Sequence, residues 1–353
     1  MNLGIEPFHP DLAIEKELLA YHIYVEAKHF QLTPYESSST REEQIQHFHH
    51  FYLNDPSDQI QVFYASRTID GEVQFLGELV VREPKPNTPS YEDNKNIFRV
   101  TLFVLAKFRR QGVGTELLRA LTYLAETRGK THVIFSVTSD EGQSFSRHFH
   151  ATHIYDLVQS QLSLDCVDVP VLKSWCMAGR RNNPEIELFW CETIPDDLIE
   201  EFVGYYTTTL NQQPLGGIAG SNGRYSVEYY RLFEEEMTKD GQRWTVVLAL
   251  DSNKAVAGLS QGLYDPAKPQ EFHQLLTSVR EGKRGLGLAK WLKAELILSA
   301  HSTLPSVKEV VTQNSSKNTT ILAINAQIGF KEKEKTSLYQ VETKKLLELF
   351  VNN

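Results

Sequence analysis

Two short stretches carry residue types suited to holding an anion: Arg109-Arg110-Gln111-Gly112-Val113-Gly114 and, 175 residues later, Arg284-Gly285-Leu286-Gly287-Leu288-Ala289. Each fits Arg-x-x-Gly-x-Gly/Ala, follows an apolar run that reads as a strand, and opens an amphipathic stretch that reads as a helix. Glycines at such a junction leave the first backbone N–H groups of the helix open to approach. Those amides, with the positive end of the helix dipole, bind phosphate oxygens. The inference concerns phosphate and names no cofactor. Neither turn reads Gly-x-x-x-x-Gly-Lys-Ser/Thr, and neither reads Gly-x-Gly-x-x-Gly with an acid about 20 residues on, so the P-loop and dinucleotide motifs are excluded. Glycines that serve only the tight turn remain the alternative.

The elements that must position these turns repeat with them. A shift of 175 superposes Val104 on Val279, Gly112 on Gly287, Leu117 on Leu292 and Leu121 on Leu296, which points to two copies of one domain in 353 residues. In the first copy the pattern predicts helices over 11–31 and 41–52 with a loop at 34–40, then a hairpin of 60–68 and 73–82 around Asp70-Gly71. A strand over 97–105 leads into the turn. A helix ending near Gly129, a strand at 133–137, a helix at 143–149 and a strand at 154–164 follow. Residues 166–185 have the breaker content of a linker, with a short helix near 171–177, so the domains are expected at 1–165 and 186–353. The second copy repeats the scheme: a strand at 186–191, helices on either side of a glycine-rich loop at 210–224, a hairpin of 244–250 and 255–264, and a strand at 272–279. After its turn come a helix marked by Leu288, Leu292 and Leu296, a strand at 307–312, a helix at 316–328 and a last strand at 336–341.

Composition narrows the function classes. The net charge of −9 argues against nucleic acid as a partner; its plain reading is solubility, with attraction of small cationic or amine ligands at encounter as the alternative. No run of apolar residues is long enough to span a membrane, and residues 1–11 lack a signal-peptide pattern, so a cytoplasmic location is expected. Cys166, Cys176 and Cys191 lack metal-ligand spacing and read as reduced thiols; no metal is expected.

The order of elements and the repeated turn resemble the GCN5-related N-acetyltransferase (GNAT) superfamily, present twice. The second copy carries the fuller set of landmarks: Thr277-Ser278-Val279, the turn, Thr312-Gln313-Asn314, Asn318, and Asn325-Ala326-Gln327-Ile328-Gly329-Phe330. The resemblance implies an α/β (α+β) fold of two tandem domains, each a mixed, mostly antiparallel twisted sheet flanked by helices. It implies acetyl-CoA as cofactor, its pyrophosphate on the amides of Gly285, Leu286, Gly287, Leu288 and Ala289 and its arm along Thr277 and Val279, with Arg284 and Asn318 in the same set. In the first copy the matching groups are Arg109, Arg110, Gln111, Gly112, Val113 and Gly114, with Leu102 and Val104 on the strand. The implied reaction is acetyl transfer to the amine of a small molecule, the neutral amine attacking the thioester directly.

One departure bears on catalysis. Many members place an acidic tyrosine where this chain has Asn325, which cannot release a proton. Tyr339 and His273 are the substitutes named here as catalytic candidates, each with packing as the competing role, and His148 or His150 could act in the first copy. The sequence favours the second copy as the catalytic one. A non-catalytic acyl-CoA-binding or interaction protein with degenerate domains is the alternative, and acceptor and oligomeric state are not legible.

Overall fold

The computed structural model describes residues 3–33, 37–220 and 222–351; positions 34–36 and 221, parts of the loops expected at 34–40 and 210–224, lie outside the described residues. The chain divides into two compact units, the first made of residues 1–154, 217–221 and 337–353 and the second of 155–216 and 222–336.

The first unit begins with strand β1 (Gly4–Pro7), helix α1 (Glu15–Leu32) and helix α2 (Arg41–Phe48). Thr40 and Glu43 form a reciprocal capping box that starts α2. The hairpin β2 (Asp58–Ile69) and β3 (Glu72–Pro84) turns at Asp70 and Gly71, whose φ values of 52° and 81° are what a two-residue hairpin turn requires. A one-turn helix α3 (Tyr91–Asn94) precedes β4 (Ile97–Val104), α4 (Val113–Thr127), β5 (His132–Val137) and α5 (Asp140–His148). In α4 the residues Leu117, Leu118, Leu121 and Ala125 are wholly buried against the sheet.

The second unit contains β6 (Thr152–Ser163), α6 (Val169–Asn182), β7 (Glu187–Cys191), α7 (Ile199–Asn211), α8 (Val227–Met237), β8 (Arg243–Leu250), β9 (Val256–Tyr264), β10 (Glu271–Val279), α9 (Leu288–Thr303), β11 (Glu309–Ser315) and α10 (Thr319–Gln327). The chain closes with β12 (Lys331–Glu342) and α11 (Thr343–Val351).

The path of the chain departs from a single cut between halves. Residues 337–342 of β12 pair with β5, so the first unit has the strand order β1-β2-β3-β4-β5-β12. Residues 157–163 of β6 pair with β11, which gives the second unit the order β6-β11-β10-β9-β8-β7. Each unit thus draws one edge strand from the other half of the sequence, and the first unit also its covering helix α11. In the first unit α11 buries Leu346 and Phe350 beside Phe149, and Arg119 of α4 lies 4.8 Å from the Phe350 ring. The stretch expected as a linker is α6 of the second unit, packed so closely on α9 that a Cβ on Gly179 would come within 2.4 Å of Trp291. Helix α9 is therefore apolar nearly all round, covered by the sheet on one side and α6 on the other. Each sheet is antiparallel except at one parallel pair, β4 with β5 and β10 with β11.

Candidate functional site

The parallel pair is where each sheet opens. β4 pairs with β5 only from Ile97 to Val100, leaving residues 101–104 without a partner on that side. β10 pairs with β11 only from Glu271 to His273, leaving 274–279 open. The other edge of each strand is fully engaged: Gly77 lies opposite Val104 and Gly258 opposite Val279, and a Cβ on either glycine would meet the Phe103 or Ser278 carbonyl oxygen at 2.8 Å. Those carbonyls therefore face the neighbouring strand. By the alternation of backbone direction along a strand, the peptide groups of Leu102 and Val104, and of Thr277 and Val279, face the opening. Each notch thus has a row of backbone groups along one wall, of which the Val104 and Val279 carbonyls are taken by the arginine that follows.

The turn at the mouth of each notch has the same build. Arg110 and Gly112 have φ values of 59° and 85°, and Gly285 and Gly287 have 85° and 81°. Left-handed residues alternating with right-handed ones curl successive N–H groups inward, a concavity that binds anions. Among the described residues, the N–H groups of Gln111, Gly112, Val113 and Gly114, and of Leu286, Gly287, Leu288 and Ala289, have no acceptor. A Cβ on Gly112 or Gly287 would meet no atom within 4 Å, so the space before the amides is open. Arg109 and Arg284 brace the turns: each Nε donates to the carbonyl five residues back, Val104 or Val279, at 3.1 Å. In the second unit Asn183 adds a tether, its Nδ2 donating to the Leu286 carbonyl at 3.1 Å. Asn318 caps α10, its Oδ1 accepting from the Ile321 N–H at 3.3 Å.

The proposed acid and base candidates do not meet in one unit. Tyr339 belongs to the first unit, where it is buried opposite Phe135 of β5; its hydroxyl accepts from Arg147 Nη1 at 3.2 Å and donates to Gln143 Oε1 at 3.4 Å. His273 belongs to the second unit, at the closed end of the notch, with Nε2 3.4 Å from Glu271 Oε2. Burial lowers its pKa despite the Glu271 carboxylate. Asn325 is buried and donates from Nδ2 to Asn314 Oδ1 at 2.8 Å. His148 ends α5, and His150 follows it in a left-handed turn at φ 59°.

Sequence reasoning missed two buried charges. In the first unit Glu78 of β3 lies opposite Phe103 of β4, on the face that carries α1. Lys28 of α1 donates to Glu78 Oε1, and its Nζ lies 5.3 Å from the Phe103 ring centroid. The Tyr64 hydroxyl reaches Glu78 Oε2 at 3.4 Å, and the Tyr24 hydroxyl is 3.5 Å from the Phe103 carbonyl. Burial pulls the Lys28 amine down, but the Glu78 carboxylate more than offsets it and leaves the pKa raised; burial first, then the same carboxylate, holds Tyr24 and Tyr64 well above their ordinary values. In the second unit Lys293 of α9 is wholly buried, donates to Gln274 Oε1, and has its pKa pulled down to about 7 by burial. Both charges were visible as single ionisable residues within apolar runs, Leu76-Gly77-Glu78-Leu79 and Trp291-Leu292-Lys293-Ala294.

Residues 22–153 match the model of the acetyltransferase (GNAT) family. No curated protein sequence matches the chain. Among solved structures, a tandem GNAT protein from the clavulanic acid biosynthesis pathway, determined without AcCoA, is similar over 97% of this chain and 99% of its own, at 19% identity and a TM-score of 0.66. A GCN5-related N-acetyltransferase from Sphaerobacter thermophilus is similar over 97% of this chain and 96% of its own, at 16% identity and a TM-score of 0.62. Residues 22–153, within the first unit, thus carry the sequence pattern of the GNAT family, and the whole length carries the fold of a tandem GNAT protein.

Proposed function

We propose that the chain is an acetyl-CoA-dependent N-acetyltransferase acting on the amine of a small molecule, and that the first unit performs the transfer. The observation that carries this reading is the combination, in one unit, of an open strand edge, a cradle of unpartnered amides and a buried carboxylate beside that edge. The amides of Gln111 to Gly114 would hold the pyrophosphate of acetyl-CoA, and the peptide groups of Leu102 and Val104 would hold its arm. Bound acetyl-CoA supplies the acyl thioester.

The chain's own residues then have three tasks. An N–H on the open edge of β4 stabilises charge that develops on the thioester oxygen. Glu78, held in place by Lys28, accepts a proton from the incoming ammonium so that the amine attacks in its neutral form. Tyr339, ordered by Arg147 and Gln143, is the hydroxyl suited to protonate the departing thiolate. The acidic balance of the chain favours a cationic acceptor at encounter, and a cytoplasmic setting fits an acetyl-CoA-dependent reaction.

A second reading, acyl-CoA binding without turnover, draws support from Ser146 and Asn325, which stand seven residues after the N-caps Ser139 and Asn318 of α5 and α10 where an acidic tyrosine is expected. Thiol release from acetyl-CoA, measured at steady state across a panel of small amines, separates the two. The proposal expects acceptor-dependent release with at least one amine. Tight acetyl-CoA binding with no acceptor-dependent release for any amine favours the second reading.

A further inference from the structure

Beside the closed end of the second unit's notch, against Gln274, lies a buried amine that no carboxylate faces. Lys293 projects from α9 and is 1% exposed. Among the described residues its amine has one hydrogen-bond acceptor, Gln274 Oε1, and no carboxylate; its other polar contact is the face of Phe330, 5.0 Å from the ring centroid. Gln274 cannot turn away, because its Nε2 donates back to the Lys293 carbonyl at 3.3 Å. An ammonium has three donors, and leaving a buried charge unpaired costs several kcal/mol. Burial alone lowers its pKa to about 7, so a ligand need supply little to protonate it near neutral pH.

Its position beside the notch indicates what that ligand is. Gln274 directly follows His273, the last residue of β10 paired with β11, and so marks the closed end of the opening. From Val279, at the turn, to Gln274 the strand spans the four register steps from Gly258 to Gly262, about 14 Å at the usual rise. An extended pantetheine arm with a short acyl group is of that length, so an arm anchored at the turn brings its acyl end to Gln274 and Lys293. A methyl end would leave the amine with Gln274 alone as its acceptor, whereas a carboxylate end would give it a counter-charge. The first unit has the wholly buried Leu118 at the matching position of α4, which suits an apolar acyl end.

We infer that the second unit accepts acyl-CoA whose acyl group ends in a carboxylate, and that Lys293, oriented by Gln274, is the residue that recognises it. This rests on the reading that the second turn also holds coenzyme A. A site built around a buried polar group rejects the analogue that cannot bond to it.

The test uses the full chain carrying Gly112→Asp, which silences the first turn, with and without Lys293→Met. Calorimetric titration with coenzyme A, acetyl-CoA and succinyl-CoA is expected to give succinyl-CoA at least tenfold tighter than acetyl-CoA in the Lys293 chain, and no preference in Lys293→Met. Lys293→Met without ligand is expected to melt no lower than its parent, which separates lost recognition from lost folding. Equal affinities in the Lys293 chain, or a preference that survives in Lys293→Met, overturn the inference while leaving coenzyme A binding intact. Failure of all three ligands to bind overturns the inference and the reading of the second turn together.

Discussion

The two units share a frame and differ at two leucines. Glu78 of the first unit corresponds to Leu259 of the second, each next to the glycine that closes against the strand before the turn, and Leu118 of the first corresponds to Lys293 of the second. One unit carries a buried carboxylate on the α1 side of its notch, and the other a buried amine on the α9 side. The backbone that defines the notch and its turn is alike in both: the positive φ values fall at matching positions, and the bracing arginine makes the same 3.1 Å bond. The two units thus share the main chain of the notch and its turn, to which the proposal assigns a phosphate and a pantetheine arm, and differ in the side chains around it. A further difference lies in the strand itself. β10 carries a one-residue bulge between Gln274 and Thr277, whereas the register of β3 with β4 is continuous from Gly77 to Arg82. A bulge re-aims the residues beside it, so the two strand edges present their peptide groups differently.

The comparison can be broken most forcefully at the turns. Gly112→Asp puts a carboxylate in front of the amides of the first turn, and we expect at least about a 100-fold loss of acceptor-dependent thiol release from like-charge repulsion. Gly287→Asp does the same to the second turn, and its turnover is expected to stay within about threefold of the parent if, as proposed, the first unit performs the transfer. Equal losses in both variants would remove the distinction between the units. Circular dichroism must accompany each measurement, because a side chain at φ above 80° is strained by about 1–2 kcal/mol.

Within the first unit, Glu78→Gln is expected to lower kcat roughly 100-fold with acetyl-CoA affinity unchanged, the signature of a lost base. An unchanged kcat would return Glu78 to a structural role beside Lys28. Tyr339→Phe is expected to lower kcat about tenfold and stability by about 1 kcal/mol, because Arg147 and Gln143 lose their shared partner. A stability loss with no change in kcat would leave the acid unassigned.

Two smaller effects are confined to the second unit. Gly179→Ala pushes a methyl into Trp291 and is expected to cost about 1–3 kcal/mol in chemical denaturation while first-unit turnover is retained. The pH dependence of stability is expected to differ between the parent and Lys293→Met. The folded amine has its pKa lowered to about 7 and the unfolded one keeps its ordinary value, so between pH 7 and 10 the unfolded chain binds more protons. Stability therefore rises with pH in the parent across that window, and the rise attributable to this residue is absent in Lys293→Met. Parallel profiles for the two proteins would contradict the assignment of a buried, unpaired amine.

The local elements were legible because their causes are local. The Asp70-Gly71 hairpin, the strand-to-turn junctions and the apolar stripe of α4 each follow from a few neighbouring residues, and so do the left-handed residues of the glycine turns. The exchange of β6 and β12 was not, because pairing between distant strands leaves no mark in the periodicity of either. The expectation of a linker at 166–185 arose from breakers at its end, Asn182, Asn183 and Pro184, whereas the apolar positions Leu172, Cys176 and Gly179 fall on one face of α6 and bury it. The closing helix α11 went unread after the last strand, although Leu346 and Phe350 at i and i+4 carry the signal. Fullness of motif in the second copy favours it as the catalytic one, whereas the proposal made above places transfer in the first unit on the strength of its buried carboxylate, a feature no motif carries. Glu78 and Lys28 are 50 residues apart, and only the packing of α1 on β3 reveals them as a pair.

The central claim is that both turns hold the phosphates of an acyl-CoA. Native mass spectrometry of the full chain with saturating coenzyme A tests it directly. The account predicts two coenzyme A molecules per chain, one in Gly112→Asp, one in Gly287→Asp and none in the double variant; an unmodified chain that binds none, or a double variant that still binds two, would contradict it.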